Sequence, residues 1–264
     1  MANALIGYSG FVGSTLLRQA RFERLFRSTN IGDMAGGSFD TVVCAGAPAQ
    51  KWIANREPEA DRKTIDGLIG SLGTMTCKRL ILISTVDVFR NPNGVDEETP
   101  VEASGLGPYG LHRRLLEEFV ECAFPDRLIV RLPGLVGPGL RKNVIFDLLN
   151  DNNLAAVNCR SVFQFYPMVN LWFDIQTALK FELRLVHLTA EPISVAEASL
   201  QGFGRPFELA LAEPAARYDM QTQHAAQFGA SGRYQYAARE TIQAIRAYAQ
   251  SEPTARKSAQ GTAA

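Results

Sequence analysis

The sequence predicts an α/β protein whose core is a doubly wound parallel sheet. Short apolar runs recur through the first half of the chain and alternate with segments of helical spacing. The runs are continuously apolar, which is typical of strands buried on both faces of a parallel sheet. A glycine-rich turn follows the first run, Ala4-Leu5-Ile6, at the place where such a fold joins a strand to a helix.

The remaining elements follow in order along the chain. The predicted strands after the first are Arg24–Ser28, Phe39–Gly46, Arg79–Thr85 and Arg127–Leu132, with one more sheet strand within 183–188. Helical spacing covers 58–72 and 109–123, and an amphipathic helix is expected near 239–248. Strands and helices stop alternating cleanly after the glycine loop near Gly134. We therefore expect a dinucleotide-binding core over 1–140, a smaller substrate-capping lobe over 141–250, and a disordered tail over 251–264.

The composition is that of an ordinary globular chain without an excess of either charge. Hydrophobic residues make up 46% of the 264 residues, and the formal net charge is zero. This balance gives no reason to expect nucleic acid or an anionic membrane as a partner. The chain shows no basic leader followed by a long apolar run, so we expect a cytoplasmic protein. The four cysteines form no CxxC pair, and no metal site is predicted.

The glycine turn has the spacing of a phosphate cradle. Gly7, Gly10 and Gly13 stand three residues apart between the first strand and a helix. Such glycines let the backbone turn tightly and approach a pyrophosphate, whose charge then lies on the helix N-terminus beside Phe11 and Val12. The alternative is a plain strand-to-helix turn, because short glycine patterns recur by chance.

Candidate catalytic residues occur at the ends of later strands. Ligands of doubly wound sheets bind outside the carboxyl ends of the strands, and Thr85 closes one of them. Tyr109 and Arg113 lie four residues apart and share a helix face. A fixed cation beside a phenol favours the phenolate, so we expect a lowered pKa for Tyr109. The alternatives are a tyrosine packed on the sheet and a threonine bonded to local backbone.

Four motifs together resemble the extended short-chain dehydrogenase/reductase superfamily, also called the NAD-dependent epimerase/dehydratase family. They are GxxGxxG at 7–13, a Ser/Thr strand end at 84–89, a YxxxK-type helix at 109–113, and an Arg-x-Pro strand with a glycine loop at 131–139. The resemblance covers 4–248 and includes nucleotide-sugar reductases and epimerases. It implies a Rossmann fold and NAD(P)-dependent hydride transfer on a sugar or nucleotide-sugar.

The resemblance also implies a set of site residues. Tyr109 is the acid/base, Thr85 orients the reacting oxygen, and Arg113 holds ribose and biases the tyrosine. The implied cofactor-binding residues are Gly7, Gly10, Phe11, Val12, Gly13, Arg27, Ser28, Asn30, Ala45, Gly46, Arg113 and Pro133. The implied substrate-binding residues are Asp87, Asn143, Gln164 and Tyr166; the alternating stretch that holds the last two is also typical of a half-buried strand.

Arg113 stands where the family has lysine. Arginine keeps the charge and can donate to ribose, but it stays protonated and cannot relay a proton as an amine can. The substitution therefore leaves a second function open, a cofactor-binding sensor or regulatory protein that has kept the cradle and lost turnover. Lys51, just past the third strand, lies either near the ligands or on an exposed loop.

The end of the second strand favours NADP over NAD. An NAD site usually has Asp or Glu about 20 residues past the glycines, whereas this chain has Arg27-Ser28-Thr29-Asn30. Arg27 can pair with a 2′-phosphate. Asp33 is the counter-evidence, since a strand that ended later would bring a carboxylate to the ribose.

Oligomeric state is open at this point. Family members commonly form dimers through the helix that carries the tyrosine. Leu115, Leu116, Phe119 and Val120 could supply a homodimer surface on that helix, and packing against the chain's own sheet accounts for the same residues.

Overall fold

A computed structural model describes residues 2–252, and its centre is a parallel sheet of six strands. The strands of the whole chain are β1 (Ala2–Ile6), β2 (Arg24–Phe26), β3 (Ser38–Cys44), β4 (Thr76–Thr85), β5 (Asn93–Val95), β6 (Arg127–Leu132), β7 (Gly134–Val136), β8 (Val162–Phe163), β9 (Phe165–Pro167), β10 (Leu185–His187), β11 (Ile193–Ser194) and β12 (Asp219–Met220). The central sheet has the order β10-β6-β4-β3-β1-β2, with every pair parallel. The predicted fold class is confirmed.

Helices cover both faces of this sheet. They are α1 (Phe11–Gln19), α2 (Lys51–Arg56), α3 (Pro58–Leu72), α4 (Pro108–Ala123), α5 (Val144–Asn150), α6 (Leu171–Lys180), α7 (Val195–Glu197) and α8 (Ala238–Ser251). Within residues 2–252, none of the helices combines the length and apolar character needed to cross a membrane. Most of the predicted tail, residues 253–264, lies outside the described range.

The order of the strands fixes where a ligand can bind. From β1 the chain moves to β2 on one side and then returns to β3 on the other. The loops that follow β1 and β3 therefore leave the sheet in opposite directions, and a crevice opens between them at the carboxyl edge. Gly7 follows β1 and Ala45 follows β3, so both lie at this switch point.

Alternate residues of each central strand enter two different cores. Ala4 and Ile6 of β1 pack with α3 and α4, whereas Leu5 packs on the other face with α1 and α6. This alternation explains the continuous apolar runs, because both faces of each strand are covered. Leu116 and Val120 of α4 are 1% and 0% exposed within the first of these cores. Both side chains are thus buried against the chain's own sheet, and they offer no dimer surface.

The C-terminal part has its own apolar cluster. Ile145 of α5, Phe165 of β9 and Ile245 of α8 pack together in it. Two short strand pairs, β7 with β9 and β5 with β12, join this part to earlier residues of the chain, and β8 pairs with β11 within it. Strand β10 lies outside this cluster and pairs with β6 in the central sheet.

A buried charge network joins α4 to the sheet. Glu117, 0% exposed, accepts from Ser84 Oγ at 2.6 Å and from Arg131 Nε and Nη2 at 3.0 and 2.8 Å. Arg114 adds a donor at 3.0 Å. Burial raises the pKa of Glu117, but these donors outweigh it and the net pKa lies below the ordinary value. The carboxylate is therefore the ionised partner of a buried arginine.

We predict that Glu117→Gln lowers the free energy of unfolding by about 3 kcal/mol at neutral pH, because it leaves the charge of Arg131 buried and unpaired. The depressed pKa means that this stabilisation is present above the unfolded carboxyl pKa and is lost as pH falls through the folded one. Urea unfolding at several pH values should show that the difference in free energy of unfolding between wild type and Glu117→Gln becomes smaller in acid. Glu118→Gln is the matched control, since that side chain is 48% exposed and should cost less than about 1 kcal/mol. An equal loss of unfolding free energy in the two variants would contradict a stabilising role of this buried network.

Candidate functional site

The glycine turn is shaped by close contacts between two loops. Gly7 has φ of +82°, and a Cβ there would lie 2.3 Å from the carbonyl oxygen of Ala45. A Cβ on Gly13 would lie 2.1 Å from the carbonyl oxygen of Gly7. Both positions require glycine for the fold itself. Gly46, beside Ala45, is also close-packed, because its Cβ would meet Ile6 at 2.9 Å.

Gly10 is different, because the protein itself leaves room for a side chain there. The nearest heavy atom to its hypothetical Cβ is the carbonyl oxygen of Gly7 at 3.4 Å, an ordinary contact. Gly10 is the N-cap of α1, and no side chain caps this helix end within the described chain. Phe11 and Val12 form its first turn. The turn thus presents helix N–H groups over a surface that a Cβ at Gly10 would cover, which fits a pyrophosphate.

Strand β2 ends at Phe26, so Arg27 is the first residue beyond it. The Arg27 guanidinium carbon lies 5.9 Å from the ring centroid of Tyr8, in the glycine turn, and its Nε donates to Thr29 at 3.0 Å. Asn30 holds this loop, since its side chain accepts from Arg27 N and donates to Leu25 O. Arg27 and Ser28 are both exposed, and Arg27 lies against the glycine turn.

The end of β4 separates two neighbouring hydroxyls. Ser84 points to the buried network and donates to Glu117 at 2.6 Å. Thr85 faces the other way, and its hydroxyl accepts from Asp87 N at 3.2 Å and lowers the pKa of the Tyr109 phenol. Alternation along a strand accounts for this division. Thr85 also pairs in register with Leu132 of β6, which brings the next residue, Pro133, to the same edge.

Arg113 is locked in place by a buried ion pair. Its Nη1 and Nη2 donate to the two carboxylate oxygens of Asp61 at 2.5 and 2.9 Å, and Nη2 also donates to Pro48 O. The side chains of Arg113 and Asp61 are 3% and 5% exposed. The guanidinium carbon lies 4.0 Å from the Tyr109 ring centroid, so the cation stacks on the ring face. Its Nε is buried and has no acceptor within the described residues, which fits a missing partner such as a ribose hydroxyl.

The expected lowering of the Tyr109 pKa was wrong. Tyr109 is 8% exposed, and burial raises the pKa of its phenol above the ordinary value. Arg113 and the Thr85 hydroxyl act in the opposite direction but do not reverse the rise. The reason is physical: the sequence shows the cation four residues away, whereas the desolvation of the phenol and the pairing of Arg113 with Asp61 arise only on folding.

Asp87 belongs to a polar cluster that sequence analysis did not assemble. Its Oδ1 accepts from Lys51 Nζ at 2.6 Å and from Tyr218 OH at 3.2 Å. Lys51 also donates to Tyr218 OH at 3.1 Å. The sequence had left Lys51 either near the ligands or on an exposed loop. Tyr218 belongs to no local sequence pattern, because it reaches the site through the pairing of β12 with β5. Lys142 was missed as well; it donates to Ala49 O, in the loop after β3.

Two of the predicted substrate contacts are wrong because their polar groups are buried and already bonded. Gln164 is 1% exposed, and its amide bonds Thr189, Ala190 O and both backbone groups of Met220. Tyr166 is 0% exposed and donates to Asp174 at 2.5 Å. Asn143 caps α5 by accepting from Ile145 N and Phe146 N. Its side chain also donates to Leu135 O.

The described residues contain no group of three or more His, Cys, Asp or Glu side chains able to hold a metal ion. The polar groups that do converge near Tyr109 are an alcohol, a phenol, carboxylates and cations. This set is suited to moving a proton and holding an oxygen atom.

Comparison with known proteins gives structural matches only. The sequence matches no protein-family model and no curated protein. A UDP-galactose 4-epimerase matches with a TM-score of 0.65 at 16% identity, over 95% of this chain and 98% of its own. A dTDP-4-dehydrorhamnose reductase from Clostridium acetobutylicum ATCC 824 matches with a TM-score of 0.67 at 14% identity, over 95% and 99%. The Bordetella bronchiseptica enzyme WbmG, in complex with NAD and UDP, matches with a TM-score of 0.67 at 17% identity, over 94% of each chain.

The chain shares the fold of these enzymes. At this level of identity the likeness establishes the fold alone, and it covers nearly the whole chain on both sides of each comparison.

We predict that Gly10 and Gly13 respond differently to substitution by alanine. Gly13→Ala forces a Cβ against the Gly7 backbone and should lower the free energy of unfolding by about 3 kcal/mol. Gly10→Ala makes only an ordinary contact with the Gly7 carbonyl oxygen at 3.4 Å and should lower the free energy of unfolding by less than about 1 kcal/mol at the N-cap. Thermal unfolding of both variants measures the difference. A Gly10→Ala variant as unstable as Gly13→Ala would show that Gly10 also serves the fold.

Proposed function

We propose that this protein is an NAD(P)-dependent oxidoreductase or epimerase that acts on a sugar or nucleotide-sugar. The observation that carries the proposal is the meeting of Tyr109, Thr85 and Arg113 at the carboxyl edge of the sheet, beside the glycine turn. The structures with the same fold support the substrate class, since they are described as enzymes of UDP- and dTDP-linked sugars.

The chain's residues divide the work between binding and proton transfer. The first turn of α1 would hold the cofactor diphosphate, and Arg113 Nε would donate to a ribose hydroxyl. The bound cofactor supplies the hydride. Thr85 would hold the reacting oxygen, and Tyr109 would exchange a proton with it. The stacked guanidinium keeps the phenol ring fixed, which positions the proton.

The raised pKa of Tyr109 favours the role of acid. A phenol whose pKa lies above its ordinary value keeps its proton at neutral pH. Such a group is ready to protonate the oxygen that forms when a carbonyl is reduced. In the oxidative direction the same phenol must first lose its proton, so we expect reduction to be the faster direction at neutral pH.

We predict that Tyr109→Phe lowers kcat at least about 100-fold, because it removes the proton donor, and leaves the affinity for reduced cofactor within about twofold. Turnover is measured on a panel of UDP- and dTDP-linked sugars and keto-sugars, and binding by fluorescence of the reduced cofactor. The wild-type rate of reduction should persist through about pH 10, where an ordinary phenol ionises, and fall only at higher pH, because the pKa of Tyr109 is raised. Gly10→Ala should instead weaken the binding of the reduced cofactor while the protein remains folded.

One observation favours the alternative of a non-catalytic NAD(P)-binding sensor. Both outer nitrogens of Arg113 donate to Asp61, so its charge is already paired and does not serve as a free cation for turnover. Wild-type protein that binds the cofactor tightly but turns over no member of the panel would support the sensor. A wild-type turnover abolished by Tyr109→Phe would exclude it.

We propose NADP as the preferred cofactor. No carboxylate occupies 27–30, the residues directly after β2. Asp33 lies one turn further on, in a short helix that begins at Ile31. A 2′-phosphate would thus meet the Arg27 cation rather than a repelling carboxylate.

We predict that Arg27→Ala weakens NADPH binding about 10-fold or more, the loss of one charged hydrogen-bonding partner, and changes NADH binding little. Fluorescence titration of both cofactors checks this. Arg24→Ala is the matched control, because it removes an exposed arginine from β2, the strand that directly precedes Arg27, and should affect neither cofactor. Wild-type protein that binds NADH more tightly, with the preference lost in Asp33→Ala, would overturn the choice of NADP.

A further inference from the structure

The helix that carries Tyr109 begins without a cap of its own. The N-cap of α4 is Gly107, and the first residue of the helix is Pro108, which has no N–H. The N–H of Tyr109 is therefore the first in the helix that needs an acceptor from outside it. The buried ion pairs of α4 lie further along the helix, at Arg113 and Glu117, so they do not satisfy this group.

A side chain from another helix supplies the acceptor. Asn55 of α2 accepts from Tyr109 N through its Oδ1 at 3.1 Å. A Cβ on Gly107 would lie 3.5 Å from the same oxygen, so the N-cap and the Asn55 side chain lie next to each other. A cap within one helix fixes only the shape of the helix end. A cap that comes from a neighbouring helix also fixes where that end lies.

Helix α2 is itself tied to the end of β4. Lys51, its first residue, donates to Asp87 Oδ1 at 2.6 Å, and Asp87 N donates to Thr85 Oγ1 at 3.2 Å. The first turn of α4 also lies directly on Asp87, because a Cβ on Gly110 would be 2.1 Å from Asp87 O. Contacts with α2 and with the backbone after β4 thus locate the first turn of α4, and with it Tyr109, relative to Thr85.

We propose that Asn55 is a positioning residue for proton transfer by Tyr109. Its Oδ1 holds the first turn of α4 in place, so that the phenol meets the reacting oxygen beside Thr85. A shift of about 1 Å in a catalytic group can cost about 100-fold in rate, so one bond from an exposed side chain is enough to affect turnover. The proton-transfer step rests on the proposed function, whereas the placement of the phenol is testable without it.

A first test reads the placement of the phenol without substrate. Burial is the main cause of the raised pKa of Tyr109, so a loosened first turn should bring this pKa down toward the ordinary value of a phenol. We expect that fall in Asn55→Ala, measured by ultraviolet titration as the difference from the same variant carrying Tyr109→Phe. Asn55→Asp keeps the acceptor oxygen and places a negative charge at a helix N-terminus, so the pKa should stay raised. Arg56→Ala, which removes the exposed neighbour of Asn55 on α2, is the matched control and should leave the titration unchanged.

A substitute cap separates the position of α4 from its stability. Gly107 has an extended backbone, with φ of −67° and ψ of 159°, so Gly107→Ser can cap the helix locally. Asn55→Ala should lower Tm by about 3 °C, and adding Gly107→Ser should recover part of that loss. The pKa of Tyr109 should stay near the ordinary value in the double variant, because a local cap does not tie α4 to α2. A pKa restored together with the stability would show a merely structural cap and overturn the inference.

Turnover then tests the role of Asn55 in the reaction. On the panel of UDP- and dTDP-linked sugars and keto-sugars, Asn55→Ala should lower kcat about 10-fold or more, with KM and the affinity for reduced cofactor changed by less than about twofold. Asn55→Asp should retain kcat, and Gly107→Ser should not restore it in Asn55→Ala. A folded Asn55→Ala with the wild-type kcat would overturn Asn55 as a positioning residue and leave the proposed function standing. Wild-type protein without any turnover would overturn the proposed function, and the titration would then decide whether Asn55 places the phenol.

Discussion

The buried ion pair between Asp61 and Arg113 is the contact on which the candidate site depends. It joins α3 to α4, and Arg113 reaches on to Pro48 O in the loop after β3. The same guanidinium stacks on the ring of Tyr109 at 4.0 Å. A lysine carries one compact charge and cannot form a two-pronged bond and a flat stack together. Arg113 and Asp61 are therefore matched to each other, and the arginine is an integral part of this site.

A second tether acts one turn further along α4. Glu117 binds Arg131 of β6 and Ser84 of β4, so the helix is fixed to α3 at one point and to the sheet at the next. Burying these charges is costly, and the cost is offset only when every partner is in place. The two networks consequently define one position for α4. That position brings Tyr109 to Thr85, the residue directly after Ser84.

The limits of prediction are visible in particular residues. Gln164 and Tyr166 alternate with aromatic residues, which indicated a pocket wall or a half-buried strand. Gln164 and all of β9 are instead buried, and the polar groups of both residues bond inside the protein. The pKa of Tyr109 was predicted from the spacing to Arg113, whereas burial determines its direction. In both cases the missing information was burial, which depends on what packs against an element.

The sequence by itself determined the parallel sheet, the turn after β1 and the place of Tyr109 at the start of a helix. These features are local, because apolar runs, glycine spacing and helical periodicity act over a few residues. Only the tertiary structure decided which polar groups surround the phenol. Arg113 and Asp61 are 52 residues apart, and Lys51 and Tyr218 are 167 residues apart. Their meeting depends on how helices pack and which strands pair, and no local pattern encodes those distances.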